Sequence, residues 1–246
     1  LSVVDKFVKA CYANNIRDRL WRVNVFAGAG LNAALVPLFR GPSASGTQYG
    51  NTVDQSLGSP SFGDADYTAS AGLLGNGTSK YLDTGFNVDQ LPGAANCHLS
   101  SFITGTQDIA SARTLVGVLF NSVTDRYRLY LNSSTAGNYS VSGDLGKANS
   151  AAFGGRANAN GGLILVSRTS TISNTLYDDA VSIATNTTPT AETTGAFPFF
   201  VFARNGPTEF YNGRMAAYSI GAGMDSTQVA AYSTAMNALQ TALGRA

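Results

Sequence analysis

The chain has 246 residues, a formal net charge of +1, only 13% charged residues and 27 glycines. So neutral a balance leaves no electrostatic footprint for nucleic acid or an anionic membrane, and no apolar run approaches the ~20 residues of a membrane-spanning helix. The length suits one domain over 1–246, and the glycine-rich, polar composition suits short strands joined by turns.

The opening "LSVVDKFVKACYANN" lacks the basic start, long apolar run and cleavage site of a signal peptide. Val4, Phe7, Val8, Cys11 and Tyr12 fall on one face of a helix over 3–13. "RLWRVNVFAG" (19–28) alternates as a strand, with Leu20, Arg22, Asn24 and Phe26 on one side and Trp21, Val23 and Val25 on the other. "LNAALVPLF" (31–39) reads as a helical turn stopped near Pro37, which completes a lead-in over 1–40. Residues 41–60 read as a loop with one short strand.

Short β-branched or aromatic runs follow at 73–87, 98–105, 113–120, 125–132, 138–143, 163–169, 175–179, 180–186 and 197–205, each bounded by Gly, Asn, Asp or Ser. Their spacing is too tight for βαβ crossovers, so the expectation is an all-β antiparallel sandwich with short N-terminal helical segments and a C-terminal helix. The Thr-rich stretch 185–194 reads as a loop. Phe210–Ile220 carries apolar groups on both faces, as a central strand does: Phe210, Ala216, Tyr218 and Ile220 on one, Tyr211, Met215 and Ala217 on the other. Asp225 and Gln228 then form a capping-box pattern, and Gly244 suits the end of a helix over 225–244. Its stripe of Val229, Tyr232, Met236, Leu239 and Leu243 needs a partner surface. Two readings stand: the stripe packs within the chain, or Val229, Tyr232, Met236 and Leu239 form an interface with another subunit.

"FYNGRMAAYSIG" followed by "MDS" and "QVAA" resembles the closing strand and helix of the concanavalin A-like lectin/glucanase superfamily, in its laminin-G-like and pentraxin-like branches. "LLGNGTSKYLDTGFN" resembles an early strand of the same fold. Taken with "IRDRLWRVNVFAG" and "ALGR", the chain resembles a branch encoded by tailed bacteriophages and prophages. The resemblance covers about two-thirds of the chain and speaks more to fold than to ligand. It implies a jelly roll. It also implies a non-enzymatic virion structural, decoration or tail-associated protein, localised to the phage particle. Such a protein acts through contacts with other virion proteins or with itself as a homo-oligomer. The alternative is a carbohydrate-binding, lectin-like module recognising host-surface glycans.

Glycoside hydrolysis needs two facing carboxylates. The only glutamates are Glu192 and Glu209, neither in the glucanase pattern, and Asp178 and Asp179 are strand neighbours that diverge. The single histidine, His98, sits beside Cys97, a spacing that points the two apart and suits a structural role. Gly28, Gly30 and Ala33 imitate a dinucleotide fingerprint without its βαβ setting, and read as turn residues. Cys11 and Cys97 have no metal spacing; they are small buried hydrophobes or one bridge.

The one cofactor considered is calcium. Its candidate ligands are Asp64 and Asp66 in "GDADY", although both suit turns equally. For sugar, "DRYRLYLN" puts Arg126, Arg128 and Tyr130 on one strand face, where Arg168 and Tyr177 join them if the sheet brings them near. Tyr stacks on a pyranose ring and Arg bonds its hydroxyls; the plainer reading is half-buried Tyr and snorkelling Arg.

Overall fold

The computed structural model describes residues 2–93, 95–104, 111–120, 125–132, 139–147, 152–156, 161–187 and 195–245. Helix α1 (Val3–Ala13) leads into β1 (Leu20–Asn24) and the one-turn helix α2 (Leu31–Ala34). Strands β2 (Gln55–Leu57), β3 (Tyr67–Thr68), β4 (Gly72–Leu74), β5 (Tyr81–Asn87), β6 (Cys97–Thr104) and β7 (Arg113–Phe120) follow. Next come β8 (Asp125–Asn132), β9 (Tyr139–Lys147), β10 (Ala152–Arg156), β11 (Gly161–Ser170), β12 (Ser173–Asp178), β13 (Val181–Asn186) and β14 (Pro198–Val201). Strand β15 (Arg214–Gly221) and helix α3 (Ser226–Ala242) close the chain.

Two antiparallel sheets face each other. The first runs β13-β12-β11-β6-β15-β4-β3, with β1 also on β15; the second runs β10-β9-β8-β7-β14-β5-β2. This is the expected jelly-roll-like β-sandwich. Strand β15 is central, hydrogen-bonded to β6 on one side and to β4 and β1 on the other. The main core fills the space between the sheets with Phe86, Leu99, Leu115, Tyr127, Leu129, Val141, Val166 and Phe199 among its members. Gly143 on β9 lets the sheets approach closely, because a Cβ there would lie 2.5 Å from the Val166 side chain.

The helices form a third layer on the outer face of the first sheet. Both are closed at the N-terminus by capping boxes, Ser2 with Asp5 and Asp225 with Gln228, which satisfy backbone donors the helix leaves open. Phe7 and Cys11 of α1 pack with Val229, Tyr232, Met236 and Leu239 of α3 over Phe102, Leu163, Leu165 and Ala217. The four stripe residues expose 0–2% of their surface. The reading of Val229, Tyr232, Met236 and Leu239 as an intersubunit interface is therefore corrected: α1 and the first sheet bury them inside the chain, at ~1.5–3 kcal/mol for each large side chain.

Several strand details also differ. Residues 73–87 split into β4 and β5, the closing strand starts only at Arg214, and β3 and β10 were not expected. A bulge at β15 places Met215 on the core face with Tyr218 and Ile220, while Ala216 and Ala217 face the helices. A register shift at Trp21 similarly puts Leu20 on the Val23 side. The loop expected at 185–194 lies largely outside the described residues. Cys11 and Cys97 are buried thiols that do not bridge each other. His98 is fully buried, with its ring nitrogens 2.7 Å from the Ala222 carbonyl oxygen and 2.8 Å from Ser219 Oγ.

Candidate functional site

The outer face of the second sheet gathers charge from β8, β9 and the segment 202–210. On β8, Tyr127, Leu129 and Leu131 point into the core, so alternation turns Arg126, Arg128 and Tyr130 outward. Asp144 of β9 stands opposite Arg128 in the register, and Gly117 of β7 stands on its other side. A Cβ on Gly117 would come 2.8 Å from Thr114, 3.2 Å from Arg128 and 3.5 Å from Arg204. The missing side chain lets the segment 202–210 cross β7 from outside. That segment bridges β7 at Gly117–Arg204 and at Thr114–Phe210.

Phe202 and Glu209 bracket the crossing with left-handed backbones, φ 69° and 56°. Non-glycine residues in this region carry strain of ~1 kcal/mol or more, retained only where surrounding contacts impose it. Here it aims Glu209 at Arg128, whose Nη1 donates to Glu209 Oε2. Thr114 Oγ1 donates to the same oxygen at 2.8 Å, and Arg204 Nη2 lies 3.7 Å from Oε1. Arg128 Nη2 reaches Asp144 Oδ2 at 3.4 Å, and Arg126 Nε forms a 2.6 Å ion pair with that oxygen. Three cations and two carboxylates thus form one network.

Burial divides the two acids. Asp144 is fully enclosed, so desolvation raises its pKa despite Arg126 and Arg128. Desolvation also pushes Glu209 up, but the Arg128 charge, the Thr114 hydrogen bond and Arg204 outweigh it, and the carboxyl sits below its usual value. Side chains of Arg126, Arg204 and Glu209 stay 18–22% exposed. They offer donors and an acceptor to solvent. On the same face, Phe200 of β14 stands across Gly117 from Arg128 and is 9% exposed; the Tyr81 ring lies 4.8 Å from it and 6.2 Å from Phe210.

Three of the five sugar-site candidates therefore meet: Arg126, Arg128 and Tyr130. Tyr130 is no open platform, because the Arg128 guanidinium covers its ring at 3.5 Å and leaves it 4% exposed. Arg168 and Tyr177 do not join them; both belong to the first sheet. Arg168 points between the sheets and donates to the Leu145, Ser170 and Thr171 carbonyls. Tyr177, opposite Leu165, packs with the helix layer. The grouping fails because β8 and β11 lie in different sheets, which strand alternation alone cannot reveal.

Of the calcium candidates, Asp66 is engaged otherwise. Asp66 Oδ2 accepts from Lys80 Nζ at 2.5 Å and from Gly63 N at 2.8 Å, and Asp64 opens the same 3₁₀ turn. Among the described residues no group of three or more His, Cys, Asp or Glu is placed to hold a metal. Asp144 and Glu209 were the residues that sequence reasoning missed as site members.

No family model matches the chain, and no curated protein matches it. Solved structures do. Trypanosoma rangeli sialidase, in complex with a difluoro-KDN, aligns over 96% of this chain and 39% of its own, at 10% identity and TM-score 0.52. The Ruminococcus gnavus IT-sialidase CBM40 aligns over 64% and 95%, at 11% identity and TM-score 0.44. Botulinum neurotoxin type C, which depends on interaction with two ganglioside molecules to enter cells, aligns over 68% and 42%, at 10% identity and TM-score 0.46. The chain spans less than half of the sialidase and toxin chains it matches. At such identities the likeness is one of fold, carried by the sialidase alignment: an antiparallel jelly-roll-like sandwich running nearly the whole chain.

Proposed function

We propose that the chain is a non-catalytic carbohydrate-binding module that uses the outer face of its second sheet. The observation that carries the reading is that partly exposed Arg126, Arg204 and Glu209 share that face with the Tyr81–Phe200–Phe210 aromatic cluster, Phe200 and Arg128 standing on either side of Gly117. A sugar presents hydroxyls at its rim and C–H groups on its faces. Guanidinium and carboxylate serve the first, and an aromatic surface serves the second. The strained turns at Phe202 and Glu209 fix the carboxylate before any ligand arrives, which lowers the ordering cost of binding. The reading agrees with the lectin-like fold, and with proteins of that fold that bind gangliosides.

Hydrolysis is disfavoured by the two acids themselves. Asp144 has no access to a ligand, and Glu209 is held as an anion by Arg128, so neither offers a proton to a leaving group. A glycan array probed with the whole chain tests the proposal, followed by titration of the best glycan with Tyr81→Ala and Arg204→Ala. Each variant is expected to weaken binding by ~1 kcal/mol, about fivefold. A blank array, or full affinity in both variants, contradicts the reading.

A second reading makes the chain a virion component held by protein–protein contacts. It rests on the sequence resemblance to phage-encoded proteins, and its expected contact stripe on α3 lies buried in the chain. Co-sedimentation with particles tests it; a chain that never associates with them argues against it.

A further inference from the structure

On the helix side of the molecule, a polar pocket of about 310 Å³ opens between the end of α1, the 3₁₀ turn Arg17–Arg19 and the loop after Leu38. Its lining includes Tyr12, Arg17, Phe39, Arg40, Ser43 and Gln48. Arg17 lies flat over the Phe39 ring, 3.9 Å from its centroid, and donates through Nη1 to the Leu20 carbonyl at 3.0 Å. Arg40 donates through Nη1 to Gln48 Oε1 at 3.1 Å and through Nη2 to the Gly50 carbonyl at 2.9 Å. The Nε–H of each is shielded from solvent and meets no acceptor.

Among the described residues neither guanidinium has a carboxylate within ion-pair distance. Asp18, the acid nearest in sequence, turns its Oδ1 onto the loop instead, where Ser43 N, Ser43 Oγ and Ala44 N donate to it. That grip shapes the pocket wall, and Asp18 also attracts the Arg17 charge, which lies beyond ion-pair distance. Tyr12 stands at the rim, 54% exposed.

We propose that this pocket binds a small organic oxyanion, with one carboxylate, sulfate or phosphate group held by Arg17 and Arg40 and the organic body lying against Tyr12. The volume is at the lower end of ligand pockets, roughly 300–1,000 Å³. Two guanidiniums lining one pocket, neither with a carboxylate within ion-pair distance, suit a planar or tetrahedral oxyanion better than a neutral sugar, because their donors find full-strength acceptors only in an anion. Stacking on Phe39 fixes the plane of the Arg17 fork in advance. The site shares no residue with the sheet face, so failure of either proposal leaves the other standing.

The whole chain is titrated with inorganic phosphate, phenyl phosphate, sulfate, acetate and benzoate, each against chloride at equal ionic strength, by calorimetry and thermal midpoint. At least one oxyanion is expected to saturate at roughly millimolar concentration or below. Phosphate against carboxylate probes separates the two sources. The aromatic ester or acid should bind more tightly than its inorganic or methyl counterpart, an advantage that Tyr12→Ala removes. Arg40→Gln should weaken binding about tenfold, and Arg40→Lys should recover only part of it. Arg17→Gln should act alike; if loss of its stack on Phe39 unfolds the chain, Arg40→Gln decides the matter. No saturable binding by any probe, or binding unchanged in Arg40→Gln, overturns the proposal.

Discussion

Arg128 divides one guanidinium between Glu209 and Asp144, two acids from elements 65 residues apart in sequence, 209 against 144. Removing it leaves Arg126 to hold the buried Asp144 and takes the nearest cation from Glu209; breaking a buried pair costs ~3–5 kcal/mol, less what Arg126 and solvent recover. Arg128→Ala should therefore lower unfolding free energy by ~3 kcal/mol in urea titrations; a loss under ~1 kcal/mol would contradict the network. His98 sets a second residue-scale expectation. Burial drives its pKa down from 6.5 to about 4, the Ala222 bond opposing and Arg19 assisting. The unfolded chain binds more protons between those values, so stability is full above pH 6.5 and falls as pH drops toward 4. The loss from this group is at most ~3 kcal/mol, and His98→Asn should flatten the stability profile across that window. His98 was readable as structural from its place beside Cys97. Asp144 was not readable as a site member, because nothing local marks a lone Asp among Ser and Gly as the partner of two arginines on the next strand.

At the scale of elements, helix α3 behaves as its stripe and caps dictate. Val229→Asp puts a charge into a fully buried seam under α1 and should destabilise by ~4 kcal/mol or prevent folding, with a thermal melt like the parent's as the contrary result. The stripe could be read, but not its partner: periodicity says that a face is apolar and leaves open whether chain or neighbour covers it. Bulges were the other blind spot. Strict alternation set Met215 opposite Tyr218 and Ile220, and one extra residue in β15 brings all three to the core. Strand β10, with "FGGR" and little β-branching, lacked the composition by which β8 and β11 announce themselves.

For the whole molecule, the sandwich, the closing helix and the central closing strand were legible, because short bounded runs and one capped helix are read directly from composition and pattern. Membership of the two sheets was not, and that cost the site two of its expected residues, Arg168 and Tyr177. The long loop ahead of β2 is held by a fully buried cluster. Arg22 Nη2 donates to Asp54 Oδ1 at 2.5 Å, and Asn24 Nδ2 and the Tyr218 hydroxyl donate to the same carboxylate at 2.8 Å. Arg245 ties the end of α3 to the Ala69, Val25, Ala216 and Phe26 carbonyls. The proposed glycan contact is the outer face of the second sheet, where partly exposed Arg126, Arg204 and Glu209 share a face with the Tyr81–Phe200–Phe210 cluster. The most direct test of that claim maps an array-selected glycan by backbone-amide NMR. Binding through this face predicts that the largest shift changes fall on Thr114, Arg126, Arg128, Arg204, Glu209 and Phe210. Changes centred on α1, α3 or the edge strand β13, with that set unmoved, would contradict it.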